Sequence, residues 1–308
     1  MAKWSESDIP DLTGKTAVVT GANSGLGLQT ARALAQHGAD VTLACRDQTR
    51  GEAAAKSIAD VLPDANVDVE LLDLADLSSV TDFTGAWQKS HDGLDILVNN
   101  AGVMALPYRT TRDGFEMQFG TNHLGHFALT GRLLPALKAR PGARVVTVSS
   151  YVAIGGHIHF DDLQGRSHYN KWTAYAQSKL ANLLFALELD RRLTARAADM
   201  LSVAAHPGYA ATNLQSAGPR MVGSRARQAG ATLLNTVFAQ SDKQGALPSL
   251  FAATEPSVQA GEYFGPNQMF GTRGHPTKVK PPKQARDRER ARRLWEVSEN
   301  LTEVSYPF

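Results

Sequence analysis

Two patterns of apolar and polar residues alternate along the first two hundred positions of the chain. Short runs of apolar, often β-branched residues are typical of buried parallel strands, whereas apolar residues three and four positions apart are typical of helices that pack on them. The runs predict six strands, at 16–20, 41–44, 67–72, 94–98, 144–148 and 201–205. The helical spacing predicts one helix that opens at Leu28 and four more at 52–62, 78–90, 114–139 and 174–195. This order predicts an α/β fold, a Rossmann-type doubly wound parallel sheet with helices on both faces.

The same pattern indicates how the chain is divided. It contains no internal repeat and no interdomain linker, so we expect a single domain over 1–308 with a dinucleotide-binding core at 14–206. Residues 284–304 carry apolar side chains three and four positions apart, which predicts a C-terminal helix that docks on the body of the protein. These side chains are Leu294, Val297, Leu301 and Val304.

Residues 207–240 break the strand–helix rhythm and are rich in Ala, Gly, Ser and Arg. A segment in this part of such a fold can close over the substrate, so 207–240 is interpreted as a candidate substrate lid. An ordinary surface excursion is the alternative. The apolar side chains of a lid would favour an uncharged substrate, and here they are Leu214, Met221 and Val222.

A glycine-rich turn joins the first strand to the first helix. Its glycines let the backbone approach a bound group closely, and the helix N-terminus favours a negative charge. A tight turn without function is the alternative, but the strand before the turn and the helix after it favour the pyrophosphate of a dinucleotide. The predicted cofactor contacts in this turn are Gly21, Asn23, Ser24, Gly25, Leu26 and Gly27.

Arg46 follows the second strand, where an acidic residue would hold the free ribose 2′-hydroxyl of NAD. A planar guanidinium suits a 2′-phosphate instead, and Arg50 stands one helical turn further on. We therefore predict NADP(H) as the preferred cofactor, with NAD(H) as the alternative. The structural alternative for Arg46 is a surface arginine that opens a helix.

Other strand ends supply further candidates, because the carboxyl ends of parallel strands meet at one edge of the sheet. The Asp73 carboxylate can accept a hydrogen bond from adenine or merely cap the next turn. One amide of the pair at 99–100 can tie neighbouring strands together, while the small residues after it leave room for a ribose. The predicted cofactor contacts at these ends are Asp73, Leu74, Asn100, Ala101, Gly102, Pro207, Gly208 and Thr212.

Tyr175 is the candidate group for proton transfer. Tyr175 and Lys179 lie four positions apart on a predicted helix and therefore share one face. The pKa of a free tyrosine is near 10, and an ammonium about 4 Å away would lower it by up to about three units. We expect Lys179 to bring the pKa of Tyr175 towards neutral pH, as general acid–base catalysis requires. An ordinary solvated pair is the alternative for this motif alone.

Two further polar residues complete a constellation with this pair. Ser150 ends the fifth strand, and Asn122 lies in the long helix that precedes that strand. Together with the glycine turn and the strand-end motifs, they make the chain resemble the short-chain dehydrogenase/reductase family. The resemblance implies an NAD(P)(H)-dependent oxidoreductase that interconverts an alcohol and a carbonyl. By motif position, it implies that Asn122 holds a relay water, Ser150 orients the substrate oxygen, Tyr175 exchanges the proton and Lys179 anchors the cofactor ribose.

One departure from the family pattern points to a branch of the family. Ser150 and Tyr175 are separated by about twice the usual number of residues, so 151–174 carries an insertion. The stretches 158–164 and 293–298 resemble the retinol dehydrogenase branch, many members of which use NADP(H). The first fifteen residues lack the apolar core of a signal peptide or membrane anchor.

Two alternatives to this function remain open at the level of sequence. One is a non-catalytic dinucleotide-sensing binding protein, which would need the glycine turn and Arg46 but not Tyr175. The other is an enzyme that reduces an activated C=C bond.

Composition narrows the partners further. The net charge is +2, which gives no reason to expect nucleic acid, and no apolar run is long enough for a membrane span. Cys45 is the only cysteine, so no intrachain disulfide can form and a cytoplasmic location is expected. The histidines of the insertion lack a completing set of ligands, so we predict no metal. The expected partner is a small-molecule substrate, and a homo-oligomer is compatible with the sequence.

Overall fold

An eight-stranded sheet forms the centre of the protein, whose computed structural model describes residues 3–209 and 240–308. The strands are β1 (Thr16–Thr20), β2 (Asp40–Cys45), β3 (Val67–Leu71), β4 (Ile96–Asn99), β5 (Ala143–Val148), β6 (Met200–Ala205), β7 (Tyr263–Gln268) and β8 (Arg273–Lys278). They lie in the order β3-β2-β1-β4-β5-β6-β7-β8, and only the β7–β8 pair is antiparallel. From β1 the chain adds β2 and β3 on one side of the sheet, and from β4 it adds β5 to β8 on the other side. The crevice for a ligand is therefore expected at the carboxyl ends of β1 and β4.

Helices cover both faces of the sheet. They are α1 (Gly25–Gln36), α2 (Gln48–Ala59), α3 (Leu77–Ser90), α4 (Met117–Phe119), α5 (Gly125–Lys138), α6 (Lys171–Ala195), α7 (Asp242–Thr254) and α8 (Arg288–Thr302). A π-helical turn, Gly120–Leu124, joins α4 to α5. The doubly wound α/β fold predicted from the sequence is thus confirmed.

Two apolar layers hold these helices to the sheet. Residues of α1, α2 and α7 pack on one face, where Leu34, Ile58 and Leu250 are almost fully buried. Residues of α3, α5 and α6 pack on the other face around Trp87 and Phe127. Burying one side chain of this size stabilises the fold by about 1.5–3 kcal/mol, so the two layers fix the sheet edge rigidly.

The C-terminal helix lies where the stripe of apolar residues predicts a docked helix. Helix α8 packs on α6 and α5, with Leu294 and Trp295 buried and the guanidinium of Arg192 4.4 Å from the Trp295 ring centre. The helix ends at Thr302, so Val304 of the predicted stripe follows the helix and is nevertheless buried. The Tyr306 hydroxyl then donates to the Phe127 carbonyl at 2.7 Å.

The predicted strands are observed with shifts of one or two residues, but some helix ends differ. Helix α2 starts at Gln48 because the Asp47 carboxylate accepts the backbone N–H of Arg50. Helix α6 starts at Lys171 because Asn170 caps it in the same way. Strands β7 and β8 and helix α7, which follow the segment 207–240, are not among the elements predicted from the sequence. Most of that candidate lid, including Thr212 and its three apolar residues, lies outside the described residues.

Candidate active site

The glycine turn between β1 and α1 is shaped to receive a bound group. Gly21 and Gly25 have positive φ values of 64° and 59°, which favour glycine. A Cβ on Gly27 would lie 2.5 Å from the Gly21 carbonyl oxygen and from the Asn100 side-chain nitrogen. Within the described residues, the Ser24 side chain makes no capping hydrogen bond, so the first N–H groups of α1 are left for another acceptor. An anion such as a pyrophosphate fits this place.

Thr20, the last residue of β1, ties this turn to the end of β4. Its hydroxyl oxygen accepts the backbone N–H groups of Asn100 and Ala101, both at 2.9 Å. The Asn100 side chain donates to the Thr20 carbonyl at 2.7 Å. An amide therefore links the two strands, as the sequence analysis expected of the pair at 99–100.

The residues proposed for the adenosine half of a cofactor lie at the ends of β2 and β3. Arg46 is exposed and makes no hydrogen bond or ion pair with the rest of the described chain. Asp73 accepts the backbone N–H of Ala75 at 2.9 Å, which is the local capping role named as its alternative. Leu74 is buried against helix α5, where a Cβ on Gly125 would lie 2.9 Å from the Leu74 Cβ.

The two serines at the end of β5 have different partners. The Ser149 hydroxyl is buried and donates to the Lys179 carbonyl at 2.7 Å, which fastens helix α6 to the strand. The Ser150 side chain instead lies near the phenol of Tyr175 and lowers the pKa of that phenol. Ser150 is thus the serine that meets the candidate proton-transfer group, as the family motif implies.

The structure corrects the expected direction of the Tyr175 pKa. Burial raises the pKa of Tyr175 to about 12, and the nearby Ser150 side chain only partly opposes this rise. The spacing of Tyr175 and Lys179 predicts a lowered pKa, but it carries no information on burial, and the phenol is almost fully buried. Desolvation disfavours the phenolate more than nearby groups favour it, so Tyr175 is a neutral phenol at neutral pH.

Lys179 is also buried, and burial lowers its pKa to about 8. Its ammonium donates to the Val148 carbonyl at 3.1 Å, and the Asn182 amide donates to the same carbonyl at 3.0 Å. Below about pH 8 the ammonium therefore remains charged inside the site. A Cβ on Gly102 would lie 3.4 Å from the ammonium, so the small residue keeps space beside Lys179.

Asn122 lies in the π-helical turn, and its side chain holds two neighbouring elements. Its oxygen accepts the Val103 N–H at 2.7 Å, and its nitrogen donates to the Val103 carbonyl and the Ser178 hydroxyl, both at 2.9 Å. Both N–H groups of the amide are therefore used within the protein. The same oxygen lies 3.2 Å from the place of a Gly102 Cβ, next to the space beside Lys179.

Comparisons with known proteins give this arrangement a family. The model of the family described as short chain dehydrogenase matches residues 15–221. The chain belongs to the short-chain dehydrogenase/reductase family. Retinol dehydrogenase 13 of Homo sapiens is 42% identical over 98% of this chain and 88% of its own length.

Solved structures agree with this assignment. An uncharacterized protein from Mycobacterium Paratuberculosis shares 45% identity and a TM-score of 0.82 over the full length of both chains. L-Sorbose reductase from Gluconobacter frateurii, solved with NADPH and L-sorbose, has a TM-score of 0.65 at 22% identity over 82% of this chain and 95% of its own, which shows the shared fold. This short-chain dehydrogenase/reductase is thus an NAD(P)-dependent oxidoreductase, which argues against the sensing alternative.

The insertion 151–174 of this short-chain dehydrogenase/reductase contacts the loop after β4, helix α4 and the first half of α6. The Tyr169 hydroxyl donates to the Leu106 carbonyl at 2.8 Å, and the Gln118 amide donates to the Tyr169 oxygen at 3.0 Å. The Gln177 oxygen accepts the His159 N–H at 2.8 Å. The insertion therefore braces the loop after β4 and the first half of α6.

The loop after β6 lies at the carboxyl edge of the sheet and contacts β7 and the turn that follows it. Gly208 has a positive φ of 69°, and a Cβ there would press on the Thr272 carbonyl. The Pro207 carbonyl accepts the Gln240 amide, and the Gly208 N–H donates to the ring of His206 at 3.2 Å. The predicted contacts Pro207 and Gly208 thus lie at the carboxyl edge near the other candidates.

Three residues of the site lack a signal in the sequence analysis. They are Thr20, whose hydroxyl links the end of β1 to the end of β4, Asn182, whose amide shares the Val148 carbonyl with Lys179, and the buried His126 on α5. Helical spacing from Lys179 could have found Asn182, which lies three positions further on. Nothing in the sequence alone distinguishes His126 from His123 in the neighbouring turn or from the three histidines of the insertion.

The histidines of the insertion face solvent, and the His157 and His159 rings lie 4.8 Å apart. Residues 3–209 and 240–308 contain no group of three metal-ligating side chains that could hold a metal ion. No helix in these two ranges is long and apolar enough to span a bilayer.

Proposed function

We propose that this enzyme uses NADP(H) to interconvert an alcohol and a carbonyl on an uncharged, apolar small molecule. The observation that carries the proposal is the cluster at the carboxyl edge, where Ser150 lies near the buried phenol of Tyr175 and the buried Lys179 ammonium lies beside Gly102. A donor phenol, an orienting hydroxyl and a buried cation are the groups that proton exchange with a substrate oxygen requires. The human relative's name refers to retinol, an apolar alcohol, which supports this class of substrate.

The cofactor is assigned to the residues at the ends of β1 to β4 and β6. The glycine turn would hold its pyrophosphate through Gly21, Asn23, Ser24, Gly25, Leu26 and Gly27. Asp73 and Leu74 would border the adenine, Asn100, Ala101 and Gly102 would border the ribose next to the nicotinamide, and Pro207 and Gly208 would border the carboxamide. Thr212 is proposed for the carboxamide from the sequence alone, because it lies outside the described residues. When bound, the nicotinamide supplies or accepts the hydride at the substrate carbon.

The protein's own groups handle the proton. Tyr175, a neutral phenol at neutral pH because its pKa is raised, donates its proton to the carbonyl oxygen during reduction. Ser150 donates a hydrogen bond that holds this oxygen beside the phenol. Lys179 remains charged below about pH 8 and stabilises the phenolate left after proton transfer. Asn122 holds the loop at Val103 and thereby the space beside Lys179, through which a relay water reaches the ammonium.

The preference for NADP(H) rests on Arg46. This guanidinium is exposed at the end of β2, with no partner in the described chain, and can meet a 2′-phosphate with two parallel charge-assisted bonds. The sequence places no carboxylate at 45 or 46 to hold the free ribose hydroxyl of NAD(H).

The experiment is a titration of NADPH and NADH against wild type, Arg46→Ala and Arg46→Asp. Losing charge-assisted bonds worth about 1.5–3 kcal/mol each should weaken NADPH binding at least about tenfold in Arg46→Ala. NADH binding should change little, and Arg46→Asp should shift the preference towards NADH. The matched control is Lys56→Ala, which removes an exposed cation from the last turn of helix α2. Equal weakening of both cofactors by Arg46→Ala would refute the assignment of Arg46.

A further inference from the structure

A buried histidine connects the cofactor turn to the candidate active-site helix. The His126 ring on α5 is 1% exposed. Its Nε2 lies 2.9 Å from the Thr20 hydroxyl, and its Nδ1 lies 2.9 Å from the Asn122 carbonyl. Thr20 is the residue before the first glycine of the turn, whereas Asn122 lies in the π-helical turn. One ring thus spans the two halves of the site.

The partners of the ring decide which nitrogen carries the proton. The Asn122 carbonyl can only accept, so Nδ1 must carry the hydrogen. Burial lowers the pKa of His126 to about 4, so the ring is neutral and Nε2 is left as an acceptor. The Thr20 oxygen already accepts two backbone N–H groups, and its own proton has two acceptors within reach, the Val98 carbonyl at 3.3 Å and Nε2 at 2.9 Å. We assign the proton to Nε2 because this distance is the shorter of the two. Every donor in this network has an acceptor.

The Asn122 carbonyl that accepts the hydrogen bond from His126 belongs to the π-helical turn. A π-helical turn shifts the backbone hydrogen bonds by one residue and often lies at functional sites. The His126 ring donates to the carbonyl four residues before it, where a regular helix would use a backbone N–H. The side chain of the same Asn122 holds Val103 and Ser178 and borders the space beside Lys179.

We propose that His126 is a positioning residue of this enzyme: the neutral imidazole, held by Thr20, fixes the Asn122 carbonyl and thereby sets the loop at Gly102–Val103 beside Lys179. This role rests on the proposed function, because it acts through Asn122 and Lys179 on proton transfer. Thr20 keeps its bonds to Asn100 and Ala101 without the ring, so the glycine turn stays in place. Loss of the ring should therefore affect turnover more than cofactor binding.

The matched control is a second buried histidine of the same turn. His123 is also 1% exposed, but its Nε2 lies 2.9 Å from the Ser298 hydroxyl of α8, away from the cofactor turn. His126→Phe removes two buried ring hydrogen bonds and His123→Phe removes one, and both variants keep an aromatic ring. Both should lower the melting temperature, and they should differ in catalysis.

The test measures kcat, KM and the NADPH dissociation constant for wild type, His126→Phe, His126→Gln and His123→Phe, well below each melting temperature. We expect His126→Phe to lower kcat about 10- to 100-fold, as a displaced catalytic group does, with NADPH binding within about threefold of wild type. His126→Gln keeps a donor for the Asn122 carbonyl and should recover most of kcat. His123→Phe should keep kcat within about twofold of wild type. Equal loss of kcat in the two Phe variants, or an unchanged kcat in His126→Phe, overturns the proposal.

A second readout does not need turnover. Hydrogen exchange of the Val103 amide, which donates to the Asn122 side chain, should be faster in His126→Phe and unchanged in His123→Phe. The same exchange rate in both variants overturns the positioning role. Wild type without turnover on any carbonyl would overturn the proposed function, while the exchange comparison would still decide the role of His126.

Discussion

At the scale of single residues, burial controls the chemistry of the candidate site. It raises the pKa of Tyr175 to about 12 and lowers the pKa of Lys179 to about 8, so at neutral pH one is a neutral acid and the other a cation. The spacing of the two residues predicts that they share a helix face, but it does not predict whether their side chains are exposed to solvent. The direction of the Tyr175 pKa could therefore not be obtained from the motif alone.

Asp242 provides a prediction at this scale. Its carboxylate lies near the N-terminus of α1, 3.9 Å from the place of a Cβ on Gly25, and its Oδ1 is buried with no partner among the described residues. Burial also raises the pKa of this carboxyl. A negative charge at this place opposes a pyrophosphate at the glycine turn.

Asp242→Asn should therefore tighten NADPH binding at pH 7.5 by about fivefold, the effect of about 1 kcal/mol of repulsion at several ångströms. In wild type, binding should also tighten as the pH falls and the carboxyl takes up its proton. The control is Asp190→Asn, which changes another half-buried carboxyl with a raised pKa, beside Gly261. A fluorescence titration of NADPH measures both. Unchanged or weaker binding in Asp242→Asn would show that this carboxylate does not face the phosphates.

At the scale of elements, the sequence predicted what depends on local pattern. The strand Thr16–Thr20 is recognised to the residue because a strand buried on both faces is a continuous apolar run. The apolar pattern predicts one long helix over 114–139, whereas the structure has α4, the π-helical turn Gly120–Leu124 and α5 in this range. The spacing of apolar residues does not reveal a single π-helical turn within a helix. The strands β7 and β8 contain Pro266 and Pro276, which weaken the strand signal.

The candidate site could be predicted in part from the sequence, and the rest required the structure. Its residues could be selected from the sequence because each follows a strand or lies on the helix beside it, and parallel strands bring those ends together. The different partners of Ser149 and Ser150 could not be predicted from the sequence. The structure shows that the Ser149 hydroxyl donates to the Lys179 carbonyl of α6, whereas Ser150 lies near the Tyr175 phenol.

At the scale of the whole molecule, three buried histidines make stability depend on pH. Burial lowers the pKa of His123 to about 3 and the pKa of His126 and His206 to about 4. Between these values and the usual pKa near 6.5, the unfolded chain binds more protons than the folded chain. Their contribution to stability is therefore complete above about pH 6.5 and is lost as the pH falls towards 4.

The free energy of unfolding should thus fall with decreasing pH by up to about 1.4 kcal/mol per pH unit for each histidine. Urea unfolding at pH 7.5, 6.0 and 5.0 measures this slope, and His123→Phe should make it shallower by about one proton. The same slope in His123→Phe and wild type would mean that this ring does not titrate on unfolding.

The central claim is that a hydride passes between NADPH and a substrate carbonyl while Tyr175 supplies the proton. The most direct measurement uses NADPH deuterated at C4 of the nicotinamide and an apolar aldehyde, with the product analysed by mass spectrometry for wild type and Tyr175→Phe. Wild type should place the deuterium on the carbinol carbon. Tyr175→Phe should bind NADPH as wild type does and form product at least about 100-fold more slowly, because its ring has no proton to donate. Deuterium on a former C=C carbon, no transfer to any carbonyl, or a wild-type rate in Tyr175→Phe would contradict the account.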